Sequence, residues 1–196
     1  MTTQAVVFTP AARRAQAVFR AALQALARPG QISTFPEGAD FPVGAARHAY
    51  ALLLALADQE VTLAVTGADE PTTRFASLGT GSRLVPVPQA EYLLAVEDPG
   101  ALLLQLHRGT LETPEDGATA IIAVEELGGE GLRLRLAGPG IPGTNTLAVR
   151  GISPATVAAR NEACQDYPLG IDLFLVDREG RCVGIPRTTQ TEMEGD

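Results

Sequence analysis

The chain has 196 residues, 45% of them hydrophobic and 19% charged, with a formal net charge of −8. That length suits one domain with a substantial core, and the acidic balance excludes a general nucleic-acid or anionic-membrane binder, which needs a field of the opposite sign. All 15 basic residues are arginine; without a lysine ε-amine the chain forms no Schiff base, holds no pyridoxal phosphate as an aldimine and supplies no P-loop lysine.

Met1 to Gln4 carry no basic region, and Ala5 to Phe8 is too short for a signal-peptide core. The longest apolar run, Ala49 to Ala57, is about half a bilayer span. A cytoplasmic protein is expected. Thr9-Pro10 cap a first helix whose apolar stripe is Val18, Phe19, Ala22, Leu23 and Leu26, and Arg28-Pro29-Gly30 stop it. A short strand follows at Ile32 to Phe35, then a second helix from Val43 to Ala57 and a strand from Val61 to Thr66. Short strands are expected at Leu84 to Val87 and Tyr92 to Val96, and Asp98-Pro99 start a third helix to Leu106. Thr119 to Glu125 and Leu132 to Leu136 suggest a hairpin across Gly128 to Gly131. The alternation Leu132-Arg133-Leu134-Arg135-Leu136 leaves one face wet or facing an acidic partner. Ser153-Pro154 start a fourth helix to Cys164, and Ile171 to Val176 with Cys182 to Ile185 form a last hairpin. Helices interleaved with strand pairs imply an α/β domain, a mixed sheet covered by helices. One domain spans residues 1–196, with 190–196 an acidic, flexible tail.

Gly138-Pro139-Gly140-Ile141-Pro142-Gly143 spells GxGxxG after a strand, with Glu162 about twenty residues on. Pro139 and Pro142 remove two backbone N–H donors from such a loop, and Thr144 to Val149 does not read as a helix start. A rigid Gly/Pro turn is expected there. Gly79-Thr80-Gly81-Ser82-Arg83 could form an anion nest or a plain turn. His48 and His107 lack a second ligand at metal spacing, and Cys164 and Cys182 lack CxxC spacing, so all four read as packing or surface groups and no metal site is expected.

The distinctive segment is C-terminal. Pro168-Leu169-Gly170-Ile171-Asp172 places a carboxylate in an apolar strand, and the hairpin partner ends at Ile185-Pro186-Arg187-Thr188-Thr189. A carboxylate so placed must find donors. Asp172 and Arg187 therefore form either a structural ion pair or, with Thr188 and Thr189, an anion-facing ligand site.

Together, Ala17 to Arg20, Ala27 to Gly30, Leu54 to Asp58, Gly138 to Ile141, Pro168 to Asp172 and Ile185 to Thr189 resemble in order and spacing the PhnH family, the small core subunit of the bacterial carbon–phosphorus lyase system. The resemblance runs from Phe8 to Thr189. It implies an α/β fold, a mixed sheet sandwiched by helices, similar to the pyridoxal phosphate-dependent transferases but without that cofactor. It also implies a homodimer within a core complex of other carbon–phosphorus lyase subunits. That complex uses ATP, replaces its adenine with a phosphonate at the ribose anomeric carbon, and later cleaves the carbon–phosphorus bond with a partner-borne iron–sulfur cluster. The family carries over no catalytic residue. Phe75 to Gly81 departs from the family's pattern by lacking a histidine. Two other functions remain open: a stand-alone nucleotide- or phosphosugar-binding enzyme using the 138–143 loop, and a pure scaffold.

Overall fold

The computed structural model describes residues 9–35 and 46–195. Met1 to Phe8, the expected helix start at Val43 to Ala45, and Asp196 lie outside the described residues. The elements in chain order are α1 (Pro10–Ala27), β1 (Ser33–Thr34), α2 (Arg47–Leu56), β2 (Thr62–Thr66), α3 (Glu70–Thr80), β3 (Arg83–Leu84), β4 (Tyr92–Ala95), β5 (Thr119–Ala123), β6 (Glu126–Ala137), β7 (Thr144–Arg150), α4 (Pro154–Ala163), β8 (Asp172–Val176), β9 (Arg181–Ile185) and β10 (Gln190–Met193). Three helices start alike. Thr9, Asp69 and Ser153 accept the N–H of Ala12, Thr72 and Thr156 at 3.1, 3.0 and 3.4 Å, and each is followed by a first-turn proline.

Seven strands form one sheet in the order β1-β9-β8-β5-β4-β2-β3, in which only β9 runs against the rest. Alternate residues of its central strands enter two separate cores, as the period-2 pleat requires. Ala120, Ile122, Leu173 and Leu175 face one core, and Ile121, Phe174 and Val176 face the other. The second core is closed by α1 and α2 through Val18, Ala22, Tyr50, Leu52 and Leu53. The first is closed by Val157, Ala159 and Ala163 of α4 and by a three-stranded antiparallel sheet, β10-β6-β7, through Leu134, Leu136, Leu147 and Val149. The layers are therefore helices, mixed sheet, then a helix with a small sheet, so one cover is part strand where helices alone were expected. Among the described residues no helix is long and apolar enough to cross a membrane.

Several expectations are revised. Thr119 to Glu125 does not pair with Leu132 to Leu136. β5 is apolar on both sides and lies between β4 and β8 as a parallel strand, whereas β6 starts the small sheet and pairs with β7. The 128–131 glycines form a bulge, with Leu127 and Leu132 both opposite Val149. The third helix is a 3₁₀ segment, Gly100–Gln105, entered through Gly100 at φ +52°. An unanticipated helix, α3, follows β2. In α1 the buried seam is Val18, Ala22 and Ala25, while Phe19 and Leu23 are 41% and 51% exposed. The small residues of this seam let α1 approach β9 at Gly184. The acidic end, expected to be flexible, forms β10. Glu192 pairs with Arg135, and Glu194 with Arg133 at 3.0 Å, so the acidic partner of the Leu/Arg strand is the chain's own terminus.

Candidate functional site

The hairpin of β8 and β9 delivers Asp172 and Arg187 to one end of the sheet. Asp172 Oδ1 accepts the backbone N–H of Arg187 at 2.8 Å, and Arg187 donates from Nε at 3.2–3.3 Å and from Nη2 to Oδ2 at 2.6 Å. The other edge of the guanidinium donates to the carbonyls of Pro114 and of Gly117, the latter at 3.2 Å. Gly117 is required there, since a Cβ would lie 2.3 Å from the backbone carbonyl oxygen of Gly170 as well as 2.6 Å from Nη1 of Arg187. Both side chains are mostly buried, 13% and 24% exposed. The pair thus clamps the ends of the hairpin to the 114–117 segment.

Beyond Arg187 the chain turns through Thr188 and Thr189 and borders a groove of about 710 Å³ against α4, which also takes in Arg160, Asn161 and Cys164. Of the four residues singled out from the sequence, Arg187, Thr188 and Thr189 line this groove, and Asp172 stands behind Arg187. Thr189 is 2% exposed and its hydroxyl is buried without a partner. Arg160 escaped the sequence reading. It is 3% exposed and donates to the carbonyls of Thr189 at 2.6 Å and Pro186 at 2.5 Å, to Asn161 Oδ1 at 3.3 Å and to the Thr191 hydroxyl at 3.4 Å. Its Nε is buried with no partner. Burial lowers its pKa from the ordinary arginine value, with Cys164 and Asp172 acting in the opposite direction. The signal was present in the sequence: Arg160 follows Val157 by three residues and precedes Ala163 by three, on the helix's apolar face.

Other candidates resolve as structural. The 138–143 loop is the turn between β6 and β7, and the Thr144–Arg150 segment after it is a strand, as its sequence pattern implied. Gly140, at φ +83°, would place a Cβ 2.5 Å from the Ala27 carbonyl oxygen. Gly79 and Thr80 close α3, and Gly81 caps it at φ +77°; the Thr80 hydroxyl donates to the Ala76 carbonyl at 2.9 Å. A helix C-terminus presents carbonyls, so no anion nest forms there. His107 Nδ1 accepts the Gly109 N–H at 3.2 Å within a loop, and His48 packs against Gly180. Cys182 is buried, which pushes its thiol pKa up, and Cys164 is half-buried on the groove wall. Among the described residues no cluster of three or more histidine, cysteine or carboxylate groups could hold a metal. A second depression, of about 460 Å³, lies beyond the carboxyl ends of β4, β5 and β8, where open α/β sheets bind ligands. Its charged lining is Glu97, Asp98, Glu125 and Arg178, a net negative set that disfavours phosphates.

Fold and groove define, among the described residues, an α/β protein with a mixed sheet and a cleft bordered by Arg160, Arg187, Thr188 and Thr189. Its sequence matches the family model for the bacterial phosphonate metabolism protein PhnH over residues 6–192, and the chain belongs to that family. It is 36% identical over 188 residues to HtxG of Stutzerimonas stutzeri, whose name assigns it as a C–P lyase subunit, covering 94% of this chain and 89% of the relative. It is 32% identical over 206 residues to the alpha-D-ribose 1-methylphosphonate 5-triphosphate synthase subunit PhnH of Rhizobium meliloti (strain 1021), covering 99% and 100%.

Proposed function

We propose that this chain is a subunit of a carbon–phosphorus lyase core complex and assists the transfer of a phosphonate to C1 of the ribose of ATP. In that transfer a phosphonate oxygen bonds to the anomeric carbon as the glycosidic bond to adenine breaks. The observation that carries the reading is the match along nearly the whole chain to a relative named as a subunit of this synthase. The groove beside Arg187, Thr188 and Thr189 supports an anion-facing contribution. The other core subunits supply the remaining groups, including the iron–sulfur cluster for later bond cleavage.

The same reading makes the chain a cytoplasmic homodimer with no cofactor of its own. Its layout is that of a pyridoxal phosphate-dependent transferase that has lost the cofactor amine. A seven-stranded sheet with one reversed strand next to an edge supports that layout.

Co-expression with the neighbouring core subunits tests the function. The chain should co-purify in fixed stoichiometry, and adenine release from ATP and methylphosphonate should require it. Turnover by the chain alone, or a complete active complex without it, would overturn the reading.

A further inference from the structure

The charges around the groove do not balance. Arg160 and Arg187 are two guanidinium groups, and Asp172 is the carboxylate near both, acting on Arg160 from a distance and hydrogen-bonded to Arg187. Glu192 stands at the groove rim, but its carboxylate is taken by Arg135. One positive charge is left over, in a side chain 3% exposed, within a protein of net charge −8. A buried cation whose acceptors are neutral carbonyls, a hydroxyl and an amide is costly, and its field is focused into the adjoining cleft.

Donors stand ready in the same cleft. A guanidinium has five N–H groups. Arg187 uses four of them on Asp172, Pro114 and Gly117, leaving one on Nη1. Thr188 is half-buried on the groove wall, and among the described residues its hydroxyl has no partner. The buried Thr189 hydroxyl and Arg160 Nε are likewise unpartnered.

We propose that this groove is a binding site for a tetrahedral oxyanion of the phosphate–phosphonate class. The free N–H of Arg187 and the Thr188 hydroxyl contact the ligand, and Arg160 supplies the charge from beneath. Its place in the reaction rests on the function proposed above, while the binding itself belongs to this chain. The ligand group is either the phosphonate or the triphosphate of the nucleotide, and both present the same oxygens.

Titration of the full chain with methylphosphonate and, separately, inorganic tripolyphosphate, followed by calorimetry and phosphorus NMR, tests this. At least one probe should bind saturably at a single site, and the tighter one identifies the source of the group. Thr188→Glu places a carboxylate in the groove and should weaken binding at least tenfold, with melting temperature preserved. Arg160→Met should do the same, and Arg160→Lys should retain binding. If Arg160→Met fails to fold, Thr188→Glu decides. Absence of saturable binding for both probes, or equal affinity in a folded Thr188→Glu variant, overturns the inference. Binding without assembly leaves this site standing and removes the proposed function; assembly without binding does the reverse.

Discussion

Asp177, whose side chain is fully buried, accepts the backbone N–H of Leu127 at 3.2 Å and so ties the turn between β8 and β9 to the first residues of β6. The same carboxylate accepts the N–H groups of Glu179 at 3.0 Å and Arg181 at 2.9 Å, and Nε of Arg181 at 2.6 Å. Four donors converge on one group, and the two sheets are joined through it.

Asp177→Ala strands those donors and leaves Arg181 without its main partner. A loss of about 3–5 kcal/mol is expected. Asp177→Asn keeps an acceptor oxygen for part of the set and should lose less. Denaturant unfolding with unchanged slope measures both. Equal losses would show that the network contributes little beyond its packing volume.

The terminal strand should be sensitive to acid. Glu194 accepts Nε of Arg133 and the Thr146 hydroxyl, each at 3.0 Å, and these bonds, Arg133 first, hold its carboxyl below the usual glutamate value. A depressed carboxyl contributes to docking above its unfolded-state pKa, and that contribution is lost as pH falls through the lower folded-state value. The group is exposed, so the effect belongs to β10 and not to global stability. Amide exchange at Glu194, whose N–H donates to the Arg133 carbonyl at 2.9 Å, should show weaker protection at about pH 3 than at about pH 6 after correction for intrinsic rates, and high salt should reduce the difference. Glu194→Gln should flatten the profile. A profile unchanged by that substitution would assign the acid sensitivity elsewhere.

What the sequence made legible divides along physical lines. Asp172 and Arg187 could be paired because a carboxylate in an apolar strand and an arginine at the end of its hairpin partner have few other ways to be satisfied. The turn at 138–143 was legible for a similar local reason, its missing donors. Strand partners were not: the alternation of β6 says which residues face inward but not which strand lies alongside, so β5 was assigned to the wrong neighbour. The helix Glu70–Thr80 was missed because it buries only Ala76 and Thr80, leaving almost no apolar stripe; its signals were the Asp69 cap, Pro71 and the Gly81 stop. Arg160 was passed over because one charge on an otherwise ordinary amphipathic helix reads as a surface residue until the apolar spacing around it is counted.

Arg187→Ala should destabilise the fold by about 2–4 kcal/mol, toward the lower part of the range for a buried pair because both side chains keep some solvent contact. Arg187→Lys retains the charge but reaches fewer of the acceptors that the planar fork spans, on Asp172, Pro114 and Gly117. It should fall between wild type and alanine in thermal melts. Asp172→Asn combined with Arg187→Ala should cost less than the sum of the two, since each single change strands the other group. Additive losses would mean the two residues act independently, which the observed contacts forbid.

Gly184 sits in β9 directly beneath α1, and a Cβ built on it would lie 2.7 Å from the carbonyl carbon of Ala25 and 2.8 Å from the backbone nitrogen of Leu26. The obstacle is helix backbone, which cannot rotate away as a side chain could. Gly184→Ala should therefore push α1 off the sheet and destabilise the protein by about 1–3 kcal/mol, read as a lower denaturant midpoint. Ala25→Gly should not rescue it, because trimming that side chain leaves the clashing atoms in place. Gly195→Ala, with nothing within 4 Å of its added carbon, serves as the comparison and should be neutral. Rescue by Ala25→Gly would place the contact at the side chain and so require a wider helix–sheet spacing than the one observed.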